Sequence, residues 1–165
     1  MTDKSREQLL EDSMQAIEKD PKHWSQWTWA IVVPEDVIND PEAYSPDLYQ
    51  LDCGTACCFA GQVCLQAGGS FTIDPWGQTM LGRGEPIAIE SVTWPDGSQE
   101  IIGEAAERLL DLNSNAASFL FNSQNSMAQL RVLVDALKVD PLISVRDFRE
   151  LIQDIPDRDG YSRWE

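Results

Sequence analysis

The stretch from Cys53 to Ala67 reads C-G-T-A-C-C-F-A-G-Q-V-C-L-Q-A and holds all 4 cysteines of the chain. Most of its side chains are small: Ala56, Cys57, Ala60, Gly61, Cys64 and Ala67, with bulk supplied by Phe59, Val63 and Leu65. Small residues let neighbouring backbones approach closely, and a free cysteine behaves as a small buried hydrophobe. A helix of this composition is packed nearly all round. The reading therefore places it at the centre of the domain, from Thr55 as its cap to Gly68-Gly69 as its stop.

The rest of the chain is built to cover such a helix. Its 165 residues suit one globular domain. Residues 4–19 carry Leu9, Leu10, Met14 and Ile17 at helical spacing, with Ser5 as cap and Asp20-Pro21 as stop. From His23 to Val33 comes a tryptophan-rich segment, read as a short helix from Lys22 followed by an extended piece. Residues 34–52 form an acidic, proline-rich connection, and residues 70–85 read as irregular. I-A-I-E-S-V-T-W before Pro95-Asp96-Gly97 and S-Q-E-I-I after it read as a hairpin, because proline presets the first corner and glycine takes the positive φ. Helices follow over 104–112, 114–121, 126–138 and from Ser144 to about Gln153. The 126–138 helix has Met127, Leu130, Leu133, Val134 and Leu137 on one stripe, and the last helix, capped by Ser144, has Phe148, Leu151 and Ile152 as its apolar residues. Residues 154–165 read as a loosely held tail. The expected fold is mainly α (α+β): a small helical domain with one inserted β-hairpin at about residues 86–102.

The cysteines leave two further readings open. Zinc sites pair two C-x2-C knuckles, or one with H-x3-H. Here Cys57 and Cys64 share a helix face while Cys58 points about 100° away, and His23 is the only histidine. A redox site would centre on Cys53 and Cys58, near the positive end of the helix dipole, but Asp52 opposes it and a cytosolic protein keeps such thiols reduced. The leading expectation is a buried core with no metal and no cofactor. The alternative is a thiol-redox or zinc-binding protein on Cys53, Cys58 and His23.

Charge narrows the partners. The formal net charge is -16, from 28 acids against 12 bases. No Lys or Arg occurs between His23 and Gly82, a stretch that holds Glu35, Asp36, Asp40, Glu42, Asp47, Asp52 and Asp74. Such a surface repels nucleic acid and anionic membranes and attracts basic proteins. The candidate interaction surface is Glu35, Asp36, Asp40, Glu42, Tyr44, Asp47, Tyr49 and Asp52. Trp24, Trp27, Trp29, Trp76 and Trp94 are expected to be mostly core or half-buried; the other reading makes them, with Tyr44 and Tyr49, the aromatic part of this surface, since tryptophan is enriched at binding hot spots. No apolar run reaches the roughly 20 residues of a membrane span, and the N-terminus lacks a signal-peptide core, so a cytoplasmic location is expected.

Cys53-Gly54-Thr55-Ala56-Cys57-Cys58-Phe59-Ala60-Gly61 resembles the pattern C-G-T-x-x-C-x-A-G of small uncharacterised proteins of actinobacteria and their phages. In that pattern Gln and Trp precede the motif, here Gln26 and Trp27. Stretches similar to Ala105–Leu112 and Ala116–Phe121 follow it. The paired cysteine positions of the pattern fall on Cys53 and Cys58, so Cys57 is extra, and the 34–52 connection looks like an insertion. The resemblance covers about a third of the chain, in separate pieces. It implies an actinobacterial or phage source, hence a host cytoplasm, and brings no activity with it.

Motifs for chemistry are sparse. P-loop, dinucleotide-binding and nucleophile-elbow patterns are absent. Asp157, Asp159 and Gly160 mimic part of a calcium loop, but the first ligand position falls on Ile155. Residues 104–121 have the outline of a helix-turn-helix whose second helix, S-N-A-A-S-F-L-F, has no base to meet phosphate, so direct nucleic-acid binding is not expected. The expected function is that of a non-enzymatic, acidic phage-type accessory protein. It would bind a host protein with a basic or nucleic-acid-binding surface, as a DNA mimic does. The exposed hairpin edge is the expected route to any homodimer.

Overall fold

A computed structural model describes residues 4–21, 24, 26, 29–32, 55–73 and 75–156. Helix α1 (Arg6–Lys19) begins where expected: Ser5 is extended and its Oγ accepts from the Gln8 amide at 3.3 Å. It buries Leu9, Leu10, Ser13, Met14 and Ile17, a stripe at helical spacing, and ends at Asp20 before Pro21.

Strand β1 (Ala30–Val32) is the extended piece expected after the tryptophans. It lies at the middle of a 3-stranded antiparallel sheet, between β2 (Thr55–Cys57) and β3 (Ile87–Ile89). Ala30 is paired with Cys57 on one side and with Ile89 on the other. This sheet corrects two expectations. The central helix α2 does not start at Thr55; it runs Phe59–Gln66, because the backbone of 55–57 is paired with β1. The hairpin is also shorter than expected. Ile87–Ile89 leaves it to join β1, and only β4 (Ser91–Thr93) and β5 (Gln99–Ile101) form it. Its turn is the expected one: the Trp94 carbonyl accepts from the Gly97 amide at 2.9 Å, and Gly97 has φ of 84°.

Residues 70–85 also hold more order than the sequence suggested. Helix α3 (Pro75–Leu81) starts on a proline, whose fixed φ and missing N–H suit a first helical position. Then α4 (Ile102–Leu109) follows β5 directly. Three capped helices complete the fold: α5 (Ser114–Leu120) behind Asn113, α6 (Met127–Val139) behind a Ser126–Gln129 capping box, and α7 (Val145–Ile152) behind Ser144. The class is mainly α with a little β, as expected.

Helix α2 lies against both α1 and α4, while α6 packs on α1 and α7. Phe59, Ala60, Gly61, Val63 and Cys64 of α2 are buried, so this element is the core wall that its small side chains implied. Phe119 and Phe148 stack 5.5 Å apart and join α5 to α7. Of the apolar residues of α7, Phe148 and Ile152 are buried and Leu151 is exposed.

The start of α2 has a non-local cap. Cys58 gives no side-chain capping bond. Instead, the buried Gln26 accepts from the Phe59 amide at 3.2 Å and from Trp24 Nε1 at 3.1 Å, and donates to the Leu120 carbonyl at 3.3 Å. One amide side chain thus ties three parts of the chain, and burial makes each of those groups costly to leave unpaired. Gln129 does similar work farther on. It closes the α6 capping box and donates to the Ile155 carbonyl at 2.8 Å, while Ser126 Oγ donates to the Pro156 carbonyl at 2.9 Å.

Between α1 and α6 the polar rim is an ion network. Arg131 bonds Glu18, and reaches Glu11 at 3.0 Å; Lys138 reaches Glu11 at 2.7 Å. The Lys138 hydrogen bond and the nearby Arg131 charge hold the Glu11 carboxyl down at about 2. A carboxyl whose folded-state pKa is depressed stabilises the fold above its unfolded value and loses that contribution as pH falls through the folded one. The window here runs from about 4.5 down to about 2. Urea midpoints measured across it will fall less steeply in Glu11→Gln than in the parent chain. Parallel slopes would mean that Glu11 is not coupled to α6.

Candidate functional site

The tight connection of α4 to α5 shapes a concavity among the described residues. Leu110 ends α4, and Asp111 takes φ of 49°, a left-handed conformation that Asp tolerates better than most residues. The Leu112 amide returns to the Glu107 carbonyl at 3.0 Å. Asn113 Oδ1 then accepts from the Ala116 amide at 2.9 Å and starts α5. The two helices wall an open groove of about 560 Å³.

Trp29 closes the groove from below. Its carbonyl accepts from the Cys58 amide at 3.1 Å, just before β1, and its side chain crosses to α4. There Gly103 makes the room: a Cβ at that position would stand 3.0 Å from the indole ring. Phe121, just past α5, meets Trp29 edge to face at 6.2 Å.

Carboxylates line the α4 wall. Glu104 and Glu107 are three residues apart and so face the same way. Glu107 accepts from Ser114 Oγ at 3.1 Å. Among the described residues neither glutamate has an ion-pair partner, and no Lys or Arg lines the groove. The nearest base on α4 faces the hairpin: Arg108 holds Glu100 through bonds of 3.0 and 2.6 Å and lies 5.9 Å from the Trp94 ring. That guanidinium keeps the Glu100 carboxyl below its ordinary range. Ser118, Asn122 and Ser123 add hydrogen-bonding groups, and Ile101 adds an exposed apolar edge.

The residues singled out from the sequence fall elsewhere. Glu35, Asp36, Asp40, Glu42, Tyr44, Asp47, Tyr49 and Asp52 all lie outside the described residues, as do Trp27, Cys53, His23 and the partial calcium loop. Trp24, Trp29 and Trp94 are half-buried against the core, and Trp76 is exposed. The groove residues went unnoticed as a site. The signal for them was the acidic pair Glu104 and Glu107, three residues apart on α4. The sequence placed that pair on the first helix of a helix-turn-helix outline whose second helix has no base.

The three described cysteines are core. Cys57, Cys58 and Cys64 are free and buried. Burial pushes the Cys58 thiol up to about 11 and the Cys64 thiol up to about 12; Cys57 is raised further by burial beside the other two sulfurs. At Cys58 the amides of Gly61 and Ala60 offset part of the burial effect. Such thiols are protonated near neutral pH and react slowly. Among the described residues, no group of three His, Cys, Asp or Glu side chains is placed to hold a metal ion.

No family model matches the chain, and no curated protein or solved structure is similar to it. Among the described residues no helix is long and apolar enough to cross a membrane.

Iodoacetamide will label Cys57, Cys58 and Cys64 only as fast as the domain unfolds, with rates that climb through the urea transition. Fast labelling of any of the three in buffer, read by peptide mass, would contradict their burial.

Proposed function

We propose that the chain is a non-enzymatic, acidic accessory protein of phage type that binds a host protein through that protein's basic, nucleic-acid-binding surface. The observation that carries this reading is the segregation of charge: -16 overall, with no Lys or Arg from His23 to Gly82. Charge of one sign concentrated on one part of a surface speeds encounter with an oppositely charged partner and rejects like-charged ones. The groove between α4 and α5 supports the reading, since among the described residues its lining also carries acids and no base. Duplex DNA is the anion that such a partner normally holds, and an acidic protein that takes its place acts as a mimic of it. The reading built on thiol or zinc chemistry at Cys53, Cys58 and His23 gains no support from Cys58, whose thiol is buried and free.

The test is retention on the immobilised full chain from a bacterial lysate at about 0.15 M salt, where the screening length is near 8 Å. The expected result is a basic, DNA-binding protein retained in stoichiometric amount and released by added duplex DNA. Retention of no basic protein at that salt, or retention that duplex DNA does not compete with, would overturn the reading.

A further inference from the structure

We propose that the groove between α4 and α5 is the seat of a lysine- or arginine-bearing segment of the partner. The inference rests on the preceding reading, that the partner is basic, and adds where on this chain it docks and what it inserts.

The lining matches a long cationic side chain along its whole length. Trp29, Phe121 and Ala117 supply an apolar floor for the methylene stem, which Lys and Arg bury readily while their charge stays near water. Aromatic rings also attract the cation itself. Glu104 and Glu107 stand at the α4 wall with no ion-pair partner among the described residues, so a cation arriving there displaces no resident one. Ser118 faces the same space and presents a hydroxyl oxygen to the donors of a guanidinium. A volume of about 560 Å³ exceeds what one side chain fills, which fits a short stretch of backbone with its side chains.

Charge also disfavours three other occupants. The chain's own 34–52 connection holds 6 acids and no base, so it is repelled by the α4 wall. A second copy brings another -16, and nucleic acid brings phosphate. A basic polypeptide segment is the occupant that this lining attracts.

The probe is a short synthetic peptide alternating arginine with alanine, titrated into the isotope-labelled full chain at about 0.15 M salt and followed by amide and indole NMR shifts. The expected shifts cluster at Gly103, Glu104, Ser118 and the Trp29 indole. Affinity falls about fivefold to tenfold in Glu104→Gln/Glu107→Gln, the size expected from removing two partly exposed charges. It is lost in Ser118→Trp, which fills the groove from its exposed side. Unchanged shift dispersion shows that each variant is folded.

Four results would overturn the proposal. Equal binding of a glutamine-for-arginine peptide would make the groove an apolar site without preference for cations. Groove shifts that grow with the concentration of the chain alone would make a second copy the occupant. Shifts confined to other surfaces, with affinity intact in both variants, would remove the groove while leaving the basic-partner reading standing. No shift anywhere would remove the groove and count against that reading as well.

Discussion

The structure turns on a single close approach. Helix α2 lies so near the segment entering β1 that a Cβ on Gly61 would stand 2.6 Å from the Trp29 carbonyl and 2.7 Å from Cys57 Cβ. The first of these neighbours is backbone, which cannot swing aside. The same carbonyl takes the Cys58 amide bond at 3.1 Å, so the end of β2 and the start of α2 are tied at one point. Once α2 is held there, its main helix neighbours among the described residues are α1 and α4, and small side chains let both come close. Trp29 carries the consequence outward. Its carbonyl is held by the core, and its ring, packed on Gly103 and Phe121, becomes the floor of the groove. Core packing and candidate site therefore share one residue.

Around that contact the chain solves its polar problems at long range. The buried side chains Gln26, Asn125 and Gln129 each satisfy backbone groups that a helix end leaves open. Asn125 Nδ2, for instance, donates to the carbonyls of Phe119 and Leu120 at the end of α5. Most of the acids sit outside this framework. Where an acid is built into it, a base is at hand: Glu11 and Glu18 with Arg131, Glu100 with Arg108. Glu104 and Glu107 have no such partner among the described residues, and that contrast supports the proposed seat for a cation.

Local signals were legible in the sequence. Ser5 and Ser144 cap α1 and α7 as their positions implied, and Pro95-Asp96-Gly97 makes its turn. Where reading failed, a distant partner decided the outcome. Thr55 looks like a helix cap until β1 pairs with residues 55–57, and the real cap of α2 comes from Gln26, 33 residues upstream. Ile87–Ile89 reads as one arm of a hairpin until the same strand β1 claims it. Pro75 at the head of α3 was a usable start signal, masked by Gly77 inside a short helix. The groove depends on Trp29 reaching Gly103 across more than seventy positions of sequence, a pairing no spacing rule reveals. The acidic surface expected at 35–52 falls outside the described residues, as do Cys53 and His23, while Cys58 is buried in the core.

The most direct test of this account is the stability of Gly61→Ala, measured by urea denaturation beside Gly82→Ala. At Gly82 an added Cβ meets nothing nearer than 3.4 Å. The close approach of α2 to the Trp29 backbone predicts a loss of about 2–3 kcal/mol, or more, at Gly61, as for other overpacked sites, and little change at Gly82. A Gly61→Ala protein within about 0.5 kcal/mol of the parent, the range of a neutral surface change, would contradict the contact on which the rest depends.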